Sequence, residues 1–287
     1  MRLFFPDQTS SPGDPLPEYN LPPVIETSVG IQFDGLEGYT SLSAAQFWDL
    51  IRADYPVLEE NKPLEPAFET FGPSDGQGGH FRFEFVTGAI QPRFFFIRKD
   101  GSELVQLQGD RVFYNWRRTE KGETYPRYKH VRAQLSEHLD NLWQWVADCK
   151  LGEVVPTQCE AVYVNRVPLA NAEGEKCGLS FIFPWLKGLM GTTEDGTFRF
   201  RRRLSDEQGE PIARLIFDLR YGSDKDGSRE AHLVLTVRGH PKEKTKDGCL
   251  DFIDSARDII VRTFTDITSP EAHSLWERTR EPVRASL

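Results

Sequence analysis

The sequence predicts an α+β protein of two similar halves, each a β-α-β(3-4)-α unit in which a curved antiparallel sheet is backed by a long helix. Three observations predict it. Runs of period-2 alternation are short and separated by turn residues, the mark of antiparallel strands. Apolar residues at helical spacing fill two long stretches, Val131 to Val146 and Ile253 to Ile267. The order of strand, helix, strands and long helix occurs twice along the chain.

Residues 1–23 read as a Pro-rich N-terminal arm. Pro12, Pro15, Pro17, Pro22 and Pro23 cannot continue a helix or donate to a sheet ladder. The first half, 24–152, opens with the clearest strand: Ile25, Thr27, Val29, Ile31 and Phe33 alternate with Glu26, Ser28, Gly30, Gln32 and Asp34. Ser43 with Gln46 forms a capping box ahead of Phe47, Leu50 and Ile51, and Pro56 ends that helix. A loop rich in Pro, Gly and Asp is expected as far as Gly79, followed by a strand carrying Phe81, Phe83 and Phe85. Residues 93–98 form the next strand, Asp100-Gly101 a hairpin turn, and Val105 to Leu107 and Val112 to Trp116 two further strands. Val131, Leu135, Leu139, Leu142 and Val146 then line a long helix, with His138 and Trp145 widening its apolar stripe.

The second half, 153–287, repeats the cycle. Glu160 to Val167 reads as a strand, Leu179 to Met190 as a short apolar helix interrupted by Pro184, and Thr197 to Leu204, Ile212 to Tyr221 and Ala231 to Arg238 as strands. The final long helix carries Ile253, Ala256, Ile260, Phe264 and Ile267, and Ser269-Pro270 starts a short last one. Two local matches support an internal duplication: Gly79 to Phe83 against Gly196 to Phe200, and Phe47-Trp48 against Pro184-Trp185. Two sheets joined edge to edge would remove the exposed edges that invite aggregation. In topology this order resembles the fold of the TATA-binding protein and of helix-grip ligand-binding proteins.

At 287 residues the chain can bury a sizeable core. Its net charge of -9 disfavours a general electrostatic grip on a polyphosphate, although a local basic patch escapes that average. The N-terminal apolar run is shorter than a signal-peptide core and no stretch approaches the length of a membrane span, so a cytoplasmic protein is expected, with no membrane partner. Cys149, Cys159, Cys177 and Cys249 have no C-x-x-C pair, which fits reduced thiols, and the histidines show no metal-ligand spacing. Phosphate-binding, nucleophile-elbow, zinc-protease and dinucleotide motifs are all missing. The sequence therefore assigns no catalytic residue, no metal and no cofactor.

Three groups of residues can carry binding. Alternation sends Arg199, Arg201 and Arg203 to one face of their strand, as a row of planar forks suited to carboxylates or phosphates, and Phe198, Phe200 and Arg202 to the other. The alternative is a solvated face paired with acidic neighbours such as Asp218 or Glu230. Arg111, Asn115, Trp116 and Arg117 form a basic and aromatic cluster able to stack bases; alternatively Trp116 packs beneath the helix beginning near Tyr128. Asn165 and Arg166 sit where a strand ends, placed either to cap backbone groups or to line a groove.

Along its whole length the sequence also resembles a sporadically distributed family of uncharacterised bacterial and archaeal proteins. The resemblance is carried by Pro22 to Glu26, Leu107 to Arg111 with Asn115 to Arg117, Tyr163 to Arg166, and Ala256 to Trp276. It implies a shared fold and, through patchy distribution, a toxin-antitoxin or phage-defence context. The leading expectation is a non-enzymatic interaction or sensor protein with a protein partner. The alternatives are a small-molecule-binding helix-grip protein and a nucleic-acid-binding protein using the basic and aromatic strand faces.

Overall fold

The computed structural model describes residues 15–71, 92–169, 174–175, 177–188, 194–223 and 229–280. The strand expected at Phe81 to Phe85, the loop before it and the Gly79 to Phe83 member of the sequence match lie outside these residues, as does the arm before residue 15.

The arm is tied down at its end. Between Pro17 and Pro22 the backbone keeps its N–H donors, and β1 (Glu18–Tyr19) pairs with a strand at the far end of the chain, Arg278–Arg280. Tyr19 is buried and meets Phe264 edge-on at 5.7 Å. Strand β2 (Val24–Phe33) follows with Thr27, Val29, Ile31 and Phe33 buried as expected, while a register shift between Val24 and Glu26 buries Val24 and leaves Ile25 half-buried. Its Gly30 is required by close approach: a Cβ there would stand 2.3 Å from the Val112 carbonyl oxygen and 2.5 Å from the Phe113 ring.

Helix α1 (Ser41–Ile51) starts one turn earlier than the sequence implies. Thr40, in extended backbone, accepts from the Ser43 N–H at 3.2 Å, and Ser43 Oγ accepts from the Thr40 N–H at 2.8 Å, so Ser43 closes the box instead of opening it. That start points Ala44, Phe47 and Ile51 into the core. A strand, β3 (Val57–Asn61), lies where a loop was expected. It is an edge strand with both faces largely exposed, so no alternation of apolar residues marks it.

The meander continues as β4 (Arg93–Ile97), β5 (Glu103–Gln108) and β6 (Arg111–Arg117), and α2 (Tyr128–Asp148) crosses behind it. Its expected stripe is buried in full, from Val131 to Val146. The second half contains β7 (Pro156–Pro168), α3 (Leu179–Ile182) with a 3-10 turn at Pro184–Leu186, β8 (Gly196–Ser205), β9 (Pro211–Ser223) and β10 (Arg229–Gly239). It closes with α4 (Lys246–Ile267), α5 (Pro270–Leu275) and β11 (Arg278–Arg280). Ser269 caps α5 by accepting from the Ala272 N–H, as Ser-Pro at that point foretold.

All the long strands join one antiparallel nine-stranded sheet, ordered β3-β4-β5-β6-β2-β7-β10-β9-β8. Outward from the β2–β7 seam the second half runs first strand, last, middle, then the strand after its short helix; the first half runs first, last, then β5 and β4 before the strand after its short helix, β3. The orders are similar, and one packing detail is shared. Trp48 of α1 stacks on Phe96 of β4, and Trp185 beside α3 packs edge-on to Phe198 of β8. Similar order is a statement about topology and does not itself establish a duplicated sequence. Helices α2 and α4 cover one face of the sheet, and Leu135, Leu139, Leu142, Phe252, Ile253 and Ala256 are fully buried there. The site lies on the opposite face.

Candidate functional site

Residues directly opposite each other in an antiparallel pair share a face, so the register decides what the helix-free face carries. Across β5, β6, β2 and β7 it carries amides. Gln108 accepts from the Leu64 N–H at 2.9 Å and donates to the Leu64 carbonyl at 3.0 Å. Gln32 accepts from the Ala67 N–H at 3.1 Å and donates to its carbonyl at 3.0 Å. Gln158 accepts from the Glu69 N–H at 3.4 Å. These glutamines hold residues 62–71 as a strap across the sheet. The strap's far end is fixed by charge: Glu69 pairs with Arg214 and Arg238, and Arg214 stacks on the Phe71 ring at 4.7 Å.

Beyond the strap the same face is open. Arg199 lies opposite Asp218 and Arg201 opposite Ile216, while Arg203 lies opposite Arg214. Further in, Arg220 lies opposite His232, His232 opposite Arg166, and Arg238 opposite Glu160. A groove of about 930 Å³ results, lined by Arg166, Arg199, Arg201, Arg220 and Arg238 around Asp218 and Glu230. Asp218 takes Arg220 at 3.0 Å and Arg199 at 3.8 Å. That partnership holds the Arg220 pKa above its ordinary value. Glu230 receives both forks of Arg166 at 2.7 Å and lies 3.6 Å from His232. Among the described residues neither Arg201 nor Arg203 has an acidic partner.

The pairs are unequal in depth. Arg166, Arg199 and Arg220 keep 50%, 57% and 69% of their side chains exposed, whereas Glu230 and Asp218 keep 10% and 14%. The carboxylates are recessed and the guanidiniums stand above them, so an approaching molecule meets N–H donors first.

The structure thus brings Arg166, Arg199 and Arg201 together, with Arg203 on the same face further along β8. The remaining residues of the expected binding groups disperse. Arg111 is buried beneath the strap, donating to both Asp110 oxygens at 2.9 Å and to the Leu64 carbonyl at 3.0 Å. Asn115 is buried between Gln106 and Glu26. Arg117 is exposed and donates to the Gly101 carbonyl at 2.8 Å. Trp116 points to the helix side, 2% exposed, with its ring 5.4 Å from that of Tyr125. A cluster of Arg111, Asn115, Trp116 and Arg117 offering stacked bases an open platform is therefore corrected: strand alternation splits it between faces, the strap covers Arg111 and neighbouring polar side chains hold Asn115. Asn165 also faces the helices, donating to the Leu233 carbonyl at 3.2 Å.

Sequence reasoning missed Arg220, Arg238 and Arg214 as members of the arginine face. The signal was there, since Arg214, Ile216, Asp218 and Arg220 alternate out of β9. It also missed a polar cluster under the first half. Glu103 lies 3.1 Å from Arg98 and 3.0 Å from His130, and Tyr55 bridges towards His138 at 3.2 Å. His138 is 1% exposed with Nδ1 unpartnered, and burial lowers its pKa to about 4. Tyr114, stacked on His138, is fully buried with its hydroxyl turned towards Glu103.

Among the described residues no group of His, Cys, Asp and Glu is placed to hold a metal ion, and no helix is long and apolar enough to cross a membrane. Comparison with protein families, with curated proteins and with solved structures finds no match to the chain.

Proposed function

We propose that the protein is a non-enzymatic interaction module whose arginine groove docks an acidic segment of a partner protein. The observation that carries this reading is the difference in depth between the exposed guanidiniums and their recessed carboxylates. A guanidinium paired at its base keeps outward N–H groups, and its planar fork matches a carboxylate in two bonds. Arg201, free of any carboxylate among the described residues, is the natural first contact.

A protein partner fits better than a nucleic acid for two reasons. A polyphosphate carries a charge at every nucleotide and must set some over Asp218 and Glu230, whereas an acidic segment can place uncharged residues there. Base stacking needs exposed rings, and Tyr221, the tyrosine lining the groove, is 5% exposed. The context that the family resemblance implies, a toxin-antitoxin or phage-defence system, is one in which such a partner is required.

Titration with a glutamate-rich peptide and with a thymidine oligonucleotide of equal charge, at low and physiological salt, tests the reading. The peptide is expected to bind, and Arg199→Glu with Arg201→Glu to weaken it by at least about tenfold while circular dichroism stays unchanged. An oligonucleotide that binds more tightly than the peptide moves the assignment to nucleic acid. No binding of either removes the groove from consideration.

A further inference from the structure

On the other side of the sheet a cavity of about 660 Å³ opens between the first turns of α2 and the middle of α4, over the β2–β7 seam. Its size falls in the range of sites that take small molecules. The walls are apolar and aromatic, with Val24, Ile260, Val261 and Phe264 on one side and Tyr125 and Tyr128 on the other. We propose that this cavity is a binding site for a small organic carboxylate with an apolar body.

Two features of the lining select that chemistry. Deep in the cavity, the hydroxyls of Tyr125 and Tyr163 meet at 3.2 Å. Two phenols that share one hydrogen bond retain a second proton, and burial keeps both phenols neutral, so the pair offers a donor to an incoming oxygen.

Charge makes the second feature. Arg127, Lys129, Arg132 and Arg257 line the cavity, with Glu18 as the acid among the lining residues. Asp254 holds Arg132 at 2.8 Å and Asp258 holds Arg257 at 3.3 Å. Neither Arg127 nor Lys129 has an acidic partner among the described residues. Arg127 already donates to the Tyr19 and Asn20 carbonyls, leaving the exposed Lys129 as the uncommitted cation at the mouth. A single uncommitted ammonium matches a monoanion better than a phosphate dianion.

The site is independent of the arginine groove, which lies on the opposite face, and the experiment separates them. Isothermal titration of the full chain uses 4-phenylbutyrate and its neutral amide as probes. The carboxylate is expected to bind at least about tenfold more tightly than the amide, and Lys129→Ala to erase that preference while leaving the amide unchanged. Val261→Trp, which fills the cavity from a half-buried position on α4, is expected to abolish binding of both probes. Arg199→Glu with Arg201→Glu is expected to change neither. Equal affinity for acid and amide, binding that survives Val261→Trp in a folded protein, loss of binding in the groove variant, or no binding at millimolar concentration would each overturn the proposal.

Discussion

The sheet's helix-free face bears long hydrogen-bonding side chains in both halves, yet one stretch is covered and the other is bare. Over β5, β2 and β7, Gln108, Gln32 and Gln158 close on the backbone of residues 64–69. Over β8, β9 and β10, Arg199, Arg201 and Arg220 stay in water. The difference follows from what each group offers. A primary amide presents one donor side and one acceptor on a flat frame, the complement of a peptide unit, so it can clamp a passing strap from within the chain. A guanidinium presents donors alone and requires an acceptor, and the recessed carboxylates supply only part of what this row can use.

The largest effect is expected from breaking the covered side. Gln32→Leu with Gln108→Leu removes both two-bond clamps and leaves the Leu64 N–H and both Ala67 groups to find water, while the Leu64 carbonyl keeps Arg111. A loss of about 2 kcal/mol is expected in urea denaturation, from unmade bonds between part-buried groups. Hydrogen exchange at Leu64 and Ala67 should accelerate in step. Amides that stay protected in the double variant would show that the ion pairs of Glu69 hold the strap without help.

That strap also marks where the sequence stops being legible. Helix α2 was readable because apolar residues recur on one stripe, and β2 because one face is buried while the other is polar; both patterns are local. The strap depends on which glutamines the register brings beneath residues 64–69, and β3 on pairing with β4 at an edge where neither face is buried. Nothing in the spacing of Gln32, Gln108 and Gln158 announces either. The arginine row of β8 was visible by alternation alone. Its depth relative to Asp218 and Glu230 was not, since those come from strands distant in sequence. The interhelix cavity is further removed still, assembled from residues near 20, 127, 164 and 260.

A third fate for a polar group, burial without a full set of partners, sharpens the contrast. His138 lies beneath the first half with its pKa lowered to about 4 by burial, against an ordinary value near 6.5. A depressed histidine contributes stability that is complete above the unfolded value and is lost as pH falls towards the folded one. Between pH 7 and pH 5 its share is about 2 kcal/mol. His273, lowered to about 4 for the same reason, adds to the loss. Denaturation midpoints of wild type and His138→Leu across that range should converge as pH falls, because the variant lacks the first contribution. Parallel curves would mean that His138 is protonated inside the fold. The glutamine clamps carry no titratable group, so this acid loss is not one of theirs.

The smallest stability effects belong to the bare side, and they separate arginines that serve the fold from those that face outward. Arg214 is 20% exposed and held by Glu69, the Thr70 carbonyl and the Phe71 ring, so Arg214→Ala should cost about 1–2 kcal/mol and loosen the strap's far end. Arg201 touches no carboxylate among the described residues, and Arg201→Ala should shift the unfolding free energy by no more than about 0.5 kcal/mol. The same substitution should weaken the acidic peptide. A residue whose loss leaves folding unchanged and reduces docking is committed to the partner, and Arg201 is the position where those two readouts are expected to part most widely. If Arg201→Ala instead destabilises as much as Arg214→Ala, the row is held by interactions internal to the sheet and its outward donors are spent.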